Sequence, residues 1–516
     1  MLNRRAFFAG AGVLGAGMLG TLRVSVGQGA VGTRRSVRGM TMNDPDLAAY
    51  SRAVAAMKAL PASDPRNWNR FAGIHASFCP HGNWYFLPWH RAYLVALENI
   101  VRDLAGKPDF ALPYWDWSAD RQLPAVFAVG NPRTNPLNHP RPGLEPNTVL
   151  PDDMVGPQVM SRVLASPDFE AFGSARPRGQ NGTGAQWQRR VGAKTELEFN
   201  PHDGVHGTIG GDMAQVAPAS RDPIFYLHHA NVDRLWAVWN ARGNANSAST
   251  MWRNFAFNRN FIEPDGSPWN VAVANLQATG ALGYRYDTDD GPFAADIDFA
   301  GKSEAATDPY GMSLRAYRQL ADDASARANG ALQRVGNPGG GYFYIAAADN
   351  NRAAAHQRAI GIPVSLGRPL SDVMRPAPET GSPVAGRDRQ CIFAVLRDIQ
   401  APADPSTRVR VFVNRDGIDA RVRPSDPHYV TSLSFFGAGH GAHDAGGQHD
   451  HHAGHRAQAA PATTCVSIDL APTLSRLYGN RPARTDKIVV QLLPFCRYGN
   501  AATSVVRPRR VEIAIL

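Results

Sequence analysis

Histidine is scarce in this chain, 16 residues in 516, yet His75, His81 and His90 fall within sixteen positions of one another. His202, His206, His228 and His229 crowd a second stretch more than a hundred residues later. The local patterns turn most of these side chains inward. A helix expected from Pro88 to Leu104, closed by Gly106, places His90 on one stripe with Leu94, Leu97, Val101 and Leu104. In "NPHDGVH", His202 and His206 stand at i and i+4, on one face of a helix whose first turn is prepared by Asn200 and Pro201. In "DPIFYLHHANVDRLWAVWNARG", Asp222 and Pro223 start a helix that ends before Gly243. There His229 shares a stripe with Phe225, Val232 and Trp236, and His228 points about 100° away. Any fold for this chain must therefore bring several imidazoles into its interior.

Six inward imidazoles are poor apolar filler, because each carries two ring nitrogens that need partners when buried. A metal satisfies them together. Carboxylate-bridged di-iron and di-manganese bundles use Glu-x-x-His pairs, which neither cluster contains. Blue-copper sites need a cysteine ligand with a weak axial methionine. Six neutral imidazoles without a carboxylate ligand suit copper, and zinc competes on ligand type alone.

Composition narrows the rest. With 43% hydrophobic and 19% charged residues the chain can bury a large core, and 516 residues suggest two or three domains. The formal charge of +10 comes from 49 Arg and 5 Lys spread along the chain, with no basic run longer than "RPRR" at 507 to 510. That distribution reads as a compositional bias and argues against a nucleic-acid surface. The start, "MLNRRAFFAGAGVLGAGMLG", pairs Arg4 and Arg5 with a weakly apolar stretch too short for a bilayer at about 20 residues. It resembles a twin-arginine export signal, expected to occupy residues 1–32, so the mature protein is expected to be exported, periplasmic or secreted, with no membrane attachment.

Beyond the leader the texture changes twice. Residues 33–287 read as helices and long loops rich in Trp, His and Pro; Asp44 caps a helix that has Pro45 in its first turn. Residues 288–359, with Asp, Gly and Ala clusters and one helix expected near Ser313 to Gln333, read as a connector. From residue 360 to 516 the period becomes two, in "RVRVFVN", "HYVTSLSFFG", "CVSIDL", "KIVVQLLPF" and "RRVEIAIL". These runs are expected to form an antiparallel β-sandwich. The expected fold is thus a mainly α domain followed by a β-sandwich. Between two of the strands, "HGAHDAGGQHDHHAGH" holds His440, His443, His449, His451, His452 and His455 and reads as a solvated loop with the capacity to hold metal transiently. Cys391, Cys465 and Cys496 allow one disulfide whose pairing the sequence does not choose.

The two histidine clusters, "HGNWYFLPWHRAYLVALE" from His81 and "DPIFYLHHANVD" from Asp222, resemble the two copper signatures of the tyrosinase, catechol oxidase and mollusc haemocyanin family. "LPYWDW" at 112 to 117 and "GYRYD" at 283 to 287 extend the likeness. The resemblance implies two copper ions in a four-helix bundle, the first held by His75, His81 and His90 and the second by His202, His206 and His229. His228 would then be structural. It implies oxidation of o-diphenols, and of some monophenols, to o-quinones with dioxygen. Haemocyanin-like oxygen binding, o-aminophenol oxidation and a zinc hydrolase remain as other readings. A copper chaperone is a further partner in keeping with it. Cys79, two residues before His81, stands where fungal relatives and mollusc haemocyanins form a thioether to that histidine. Glu198, four residues before His202, stands where the family holds a water that helps to deprotonate a monophenol. Asp203 follows His202 where several tyrosinases carry Asn, which implies diphenol oxidation faster than monophenol hydroxylation. Val216, thirteen residues before His229, replaces a shielding Phe of many plant enzymes and implies an open approach. The last domain resembles the one that lies over the active-site mouth in latent plant polyphenol oxidases.

Overall fold

In the computed structural model the described residues are 32–166, 168–177, 192–287, 328, 330–336, 342–350, 359–374, 392–400, 402, 407–419, 421–436, 463–479, 485–495 and 506–515. The expected leader up to residue 31, residues 313–327 of the helix expected near Ser313 to Gln333, the histidine-rich loop from His440 to His455, and Cys391 and Cys496 lie outside them, whereas Gly32 starts a strand and Gln333, where that helix is expected to end, starts another. No helix among the described residues is long and apolar enough to cross a membrane.

The first half is helical. Strand β1 (Gly32–Arg34) leads to α1 (Pro45–Ala59), where the Asp44 carboxylate accepts from the Asp46 and Leu47 amides. Leu47, Tyr50, Val54 and Met57 of α1 are buried. Helix α2 (Trp68–Phe78) opens on the Asn67 side chain, and α3 (Phe86–Ala105) ends at Gly106, whose φ of 60° is the left-handed closure glycine allows. Helix α3 starts two residues before the expected Pro88, since the Phe86 amide donates to the Asn83 carbonyl. Short helices α4 (Asp152–Val155), α5 (Pro157–Leu164) and α6 (Phe169–Gly173) follow. Residues Glu198–His202 form a π-helical turn that runs into α7 (Asp203–Ile209). Pro201, which has no N–H to donate, sits inside that widened turn. Helix α8 (Ile224–Ala241) is buried along nearly its whole length, and α3 packs between α1 and α8. A hairpin of β2 (Ala256–Ile262) and β3 (Pro268–Ala272) and strand β4 (Tyr284–Tyr286), paired in parallel with β1, complete this part.

A buried charge network pins α3 to α8. Asp233 of α8 accepts from Arg91 of α3 at 2.5 Å, from Arg34 at 3.1 Å, and from the Tyr284 and Tyr286 hydroxyls at 2.6 Å each. Arg34 also grips Glu98 of α3 at 2.7 Å. The tyrosines of "GYRYD" thus fix the mutual position of the helices that carry His90 and His229. Breaking one partner would strand the others in the core, a loss of about 3–5 kcal/mol.

The second half is antiparallel sheet. One sheet has the order β10 (Tyr429–Leu433), β9 (Arg408–Val413), β12 (Lys487–Phe495), β7 (Ile360–Ser365). The other runs β11 (Thr463–Asp469), β8 (Ile392–Gln400), β13 (Arg510–Ile515), β6 (Tyr342–Asp349), β5 (Gln333–Gly336). Aliphatic side chains of both sheets, among them Val411, Val490, Leu396 and Ile513, meet in one apolar cluster. Strands β5 and β6 come from the stretch expected to be a connector. The Ala-rich run of β6 has weak strand preference of its own, but it pairs along its length with β13, from Asp349 opposite Arg510 to Tyr344 opposite Ile515. Tertiary pairing overrides propensity there.

The two halves interlock. Phe199, in the π-helical turn, is buried in the cluster of the sheets, and Phe436, just after β10, is buried in the core of the helices. The Ser434 amide donates to the Phe199 carbonyl at 2.9 Å. Asp153 of α4 accepts from Arg408 at 3.1 Å and from Ser432 at 3.0 Å, both in the sheets.

Candidate metal centre

Five segments bring the histidines together: α2 supplies His75, the following loop His81, α3 His90, the junction of the π-turn and α7 His202 and His206, and α8 His228 and His229. The first three rings form a triangle, with centroids 5.6 Å (His75–His81), 5.6 Å (His75–His90) and 5.5 Å (His81–His90) apart. His202, His206 and His229 form a second, at 4.7, 5.0 and 5.4 Å. The triangles abut where His90 and His229 stack at 4.2 Å.

Hydrogen bonds set the tautomers. Nδ1 of His75, His90 and His206 meets the carbonyl of Val216 (2.9 Å), Phe86 (2.8 Å) and Met213 (2.8 Å), and Nδ1 of His202 meets the Asp203 carboxylate at 2.9 Å. Each of these acceptors takes a proton, so Nδ1 carries N–H and the lone pair is on Nε2. The Nε2 atoms of His75, His81, His90 and His202 are buried without a hydrogen-bond partner, and those of His206 and His229 lie 3.3 Å apart. Burial holds the imidazoles neutral: desolvation lowers His90 to about 3 and takes His75, His81, His202, His206 and His229 well below the ordinary value. Two triads of neutral imidazoles, four of whose six Nε2 atoms are buried without a partner, fit a pair of imidazole-loving metal ions.

His228 is equally close, 4.7 Å from His206 and 5.3 Å from His202 between ring centroids. Its tautomer differs. The Trp117 indole N–H, which can only donate, reaches His228 Nδ1 at 3.1 Å. His228 therefore keeps its own proton on Nε2, and a neutral imidazole in that state offers the cluster no lone pair. The Trp of "LPYWDW" is what distinguishes the two members of the His-His pair. Distance alone does not.

The other expected site residues have other surroundings. Cys79 Sγ lies 3.5 Å from His81 Nδ1, and burial raises its thiol above the usual range. Both oxygens of Glu198 accept from the Gly82 amide, at 2.8 and 2.9 Å, and the Ser174 hydroxyl donates to it. Glu198 thus holds the loop next to His81. Asp203, expected to act on an incoming phenolate, is fully buried behind His202 and bonded to Lys194 Nζ at 2.7 Å. Desolvation pushes the Asp203 carboxyl well above the carboxylate range, against the opposing pull of Lys194. Val216 contributes its backbone carbonyl to His75, a role independent of side-chain size.

Two residues at the centre carry no signal in the sequence. Phe436 stacks on His206 with centroids 3.8 Å apart and planes 12° from parallel, and stands edge-on to His81 (5.3 Å) and His202 (5.6 Å). Lys194, only 5% exposed, donates to the Phe436 carbonyl at 2.7 Å. A Phe in a strand-edge run and a single Lys before an acidic turn acquire meaning only when the halves dock.

A helical domain holding two abutting triads of neutral imidazoles, joined to a C-terminal sheet domain, defines a candidate dinuclear metal protein. Residues 65–149 and 129–242 match the family model for the common central domain of tyrosinase. A tyrosinase of Hahella sp. (strain CCB-MM4) is 33% identical over 301 residues, 49% of this chain and 63% of that protein. The chloroplastic polyphenol oxidase of Malus domestica is 29% identical over 424 residues, 73% of this chain and 64% of that one. The chain thus spans less than two thirds of these relatives' length. Among solved structures, latent apple tyrosinase aligns over 94% of this chain and 98% of its own with a TM-score of 0.62 at 22% identity, a likeness of fold. Residues 65–242 of the chain are thus similar to the central domain shared by tyrosinases and polyphenol oxidases.

Proposed function

We propose that the protein is a copper-dependent oxidase of phenols, held latent by its own C-terminal domain. The observation that carries this reading is the pair of abutting triads of buried, neutral imidazoles, with the Nε2 atoms of His75, His81, His90 and His202 left without a partner. His75, His81 and His90 would hold one copper, and His202, His206 and His229 the other. When bound, the two ions supply the transfer of electrons from the phenol to dioxygen. The chain supplies the rest. Carbonyls of Phe86, Val216 and Met213 aim the imidazoles, Asp203 orients His202, and Glu198 fixes the loop beside His81. Trp117 keeps His228 as an N–H donor.

Helices α2, α3, α7 and α8 are read as the four-helix bundle of the family, and the two sheets as a sandwich whose tip covers the centre. The Phe436 ring occupies the face of His206 that an incoming phenol ring would use. Cys79 is close enough to His81 for a thioether, in which a carbon–sulfur bond replaces the thiol S–H and a ring C–H as dioxygen takes up the two protons and two electrons and becomes hydrogen peroxide. The Arg4–Arg5 leader supports export by the twin-arginine route, and phenols and dioxygen are the partners.

A covered centre also suits reversible oxygen carriage, the second reading. Oxygen uptake by copper-loaded full-length protein, given 4-methylcatechol or 4-methylphenol before and after the sheet domain is clipped, separates them. The oxidase reading expects catechol oxidation that rises on clipping. A clipped, copper-replete protein that oxidises neither phenol favours the carrier.

A further inference from the structure

The Lys194 side chain is almost fully buried and faces three groups. It donates to Asp203 Oδ2 and to the Phe436 carbonyl, each at 2.7 Å, and stands 3.7 Å from Glu198 Oε1. Its backbone is fixed independently: its amide donates to the Cys465 carbonyl at 3.1 Å, and its carbonyl accepts from the Ser467 amide at 3.2 Å. The ammonium therefore stays at the rim of the centre when only the tip bearing Phe436 withdraws. One of its protons then loses its acceptor, and a buried donor without a partner is a strong demand for a new one.

The tip itself shows what would meet that demand. Phe436 presents an aromatic ring stacked on His206 and, on the same residue, a carbonyl oxygen on Lys194. Two carbon atoms, Cβ and Cα, separate that ring from the carbonyl carbon. A phenol with a three-carbon side chain ending in a carboxylate or a carbonyl has the same spacing. It could place its ring on His206 and its terminal oxygen on Lys194 at once. Shorter chains would fall short of the ammonium, and longer ones would have to buckle.

We propose that Lys194 is a specificity-determining residue of the phenol site, binding the terminal carbonyl or carboxylate oxygen of ligands whose ring sits on His206, with three-carbon side chains preferred. This rests on the reading of the centre as a phenol-oxidising site, with Phe436 as an internal occupant of the ligand position. The four-atom path from ring to oxygen in Phe436 is the template.

The test uses the full-length, copper-loaded chain with Phe436→Gly, which removes the ring from His206 and loosens the backbone that carries the carbonyl, while the apolar cluster of the sheets stays intact. Ligands without ring hydroxyls, and so inert to oxidation, are titrated against tryptophan fluorescence: toluene, phenylacetate, 3-phenylpropanoate, 4-phenylbutanoate and 3-phenylpropanamide. The expected result is an optimum at 3-phenylpropanoate, about tenfold tighter than its shorter and longer homologues, the scale of one charge-assisted hydrogen bond. Adding Lys194→Met should bring the three carboxylates to within about twofold of one another. If the amide matches the propanoate, a carbonyl suffices; if it binds like toluene, the charge is required. Both outcomes support Lys194. Affinity that is flat across chain length, or an optimum that survives Lys194→Met, overturns the assignment and leaves phenol oxidation standing. Because the chain-length series is run with Lys194 intact, it decides the matter even if Lys194→Met fails to fold. Failure of every ring to bind, toluene included, overturns the ligand position itself and with it both readings.

Discussion

If the protein is the latent phenol oxidase proposed above, replacing Phe436 by Ala should activate it without touching a residue proposed to bind metal. The ring is 1% exposed, so its burial contributes about 2–3 kcal/mol to holding the tip closed. Its stacking on His206 adds about 1 kcal/mol. The bond from Lys194 to the backbone carbonyl and the anchor from Ser434 to Phe199 survive the substitution. Losing about 3 kcal/mol from the closed state shifts the open-to-closed ratio by about two orders of magnitude, since each 1.4 kcal/mol is tenfold. The initial rate of oxygen uptake with saturating 4-methylcatechol, at matched copper content, should therefore rise by as much as about 100-fold over the full-length wild type. It should approach the rate of wild-type protein clipped of its sheet domain. A rate within about twofold of wild type, when clipping still activates, would show that Phe436 does not gate the centre.

His229→Ala should leave about one copper or less per chain and abolish oxidation, whereas His228→Ala, which removes an N–H donor and no lone pair, should keep both ions. Metal analysis giving the reverse would show that the tautomers are misassigned. Asp203→Asn leaves one acceptor oxygen for two donors, His202 Nδ1 and Lys194 Nζ, at a cost of about 1–3 kcal/mol. It should lower the melting temperature and weaken retention of the second copper; an unchanged melt contradicts this. The buried histidines titrate far below their ordinary 6.5, to about 3 for His90 and His228. Below pH 6.5 the unfolded chain binds more protons than the folded one. Stability of the metal-free protein should thus fall as the pH drops from 6.5 towards 3, by up to about 1.4 kcal/mol per pH unit for each histidine. Urea midpoints that do not move between pH 7 and 5 would contradict it.

The helices and their histidines are legible in the sequence because local rules write them. The Asp44 cap, the Gly106 stop and the apolar stripes of α3 and α8 depend on near neighbours alone. Helical spacing separates His229 from His228, and the structure adds a difference in hydrogen bonding through Trp117, a residue more than a hundred positions away. Strands β9, β10, β11, β12 and β13 announce themselves by alternation, while the Ala-rich β6 becomes a strand only by pairing with β13. The roles of Phe436 and Lys194 are written nowhere locally. They arise from the reciprocal burial of Phe199 and Phe436 across the two halves, which no window of sequence contains. The partner of Asp203 is hidden for the same reason: Lys194 is brought against it only by the fold.

The central claim is a dinuclear copper centre walled by six histidines, and the copper content of the full-length protein, measured beside its catechol turnover, tests it most directly. Metal-free protein equilibrated with copper and then dialysed should retain two copper ions per chain and oxidise catechol once the tip is opened, and the same protein loaded with zinc should not. Retention of one copper or none, or equal turnover with zinc in place of copper, would contradict the account.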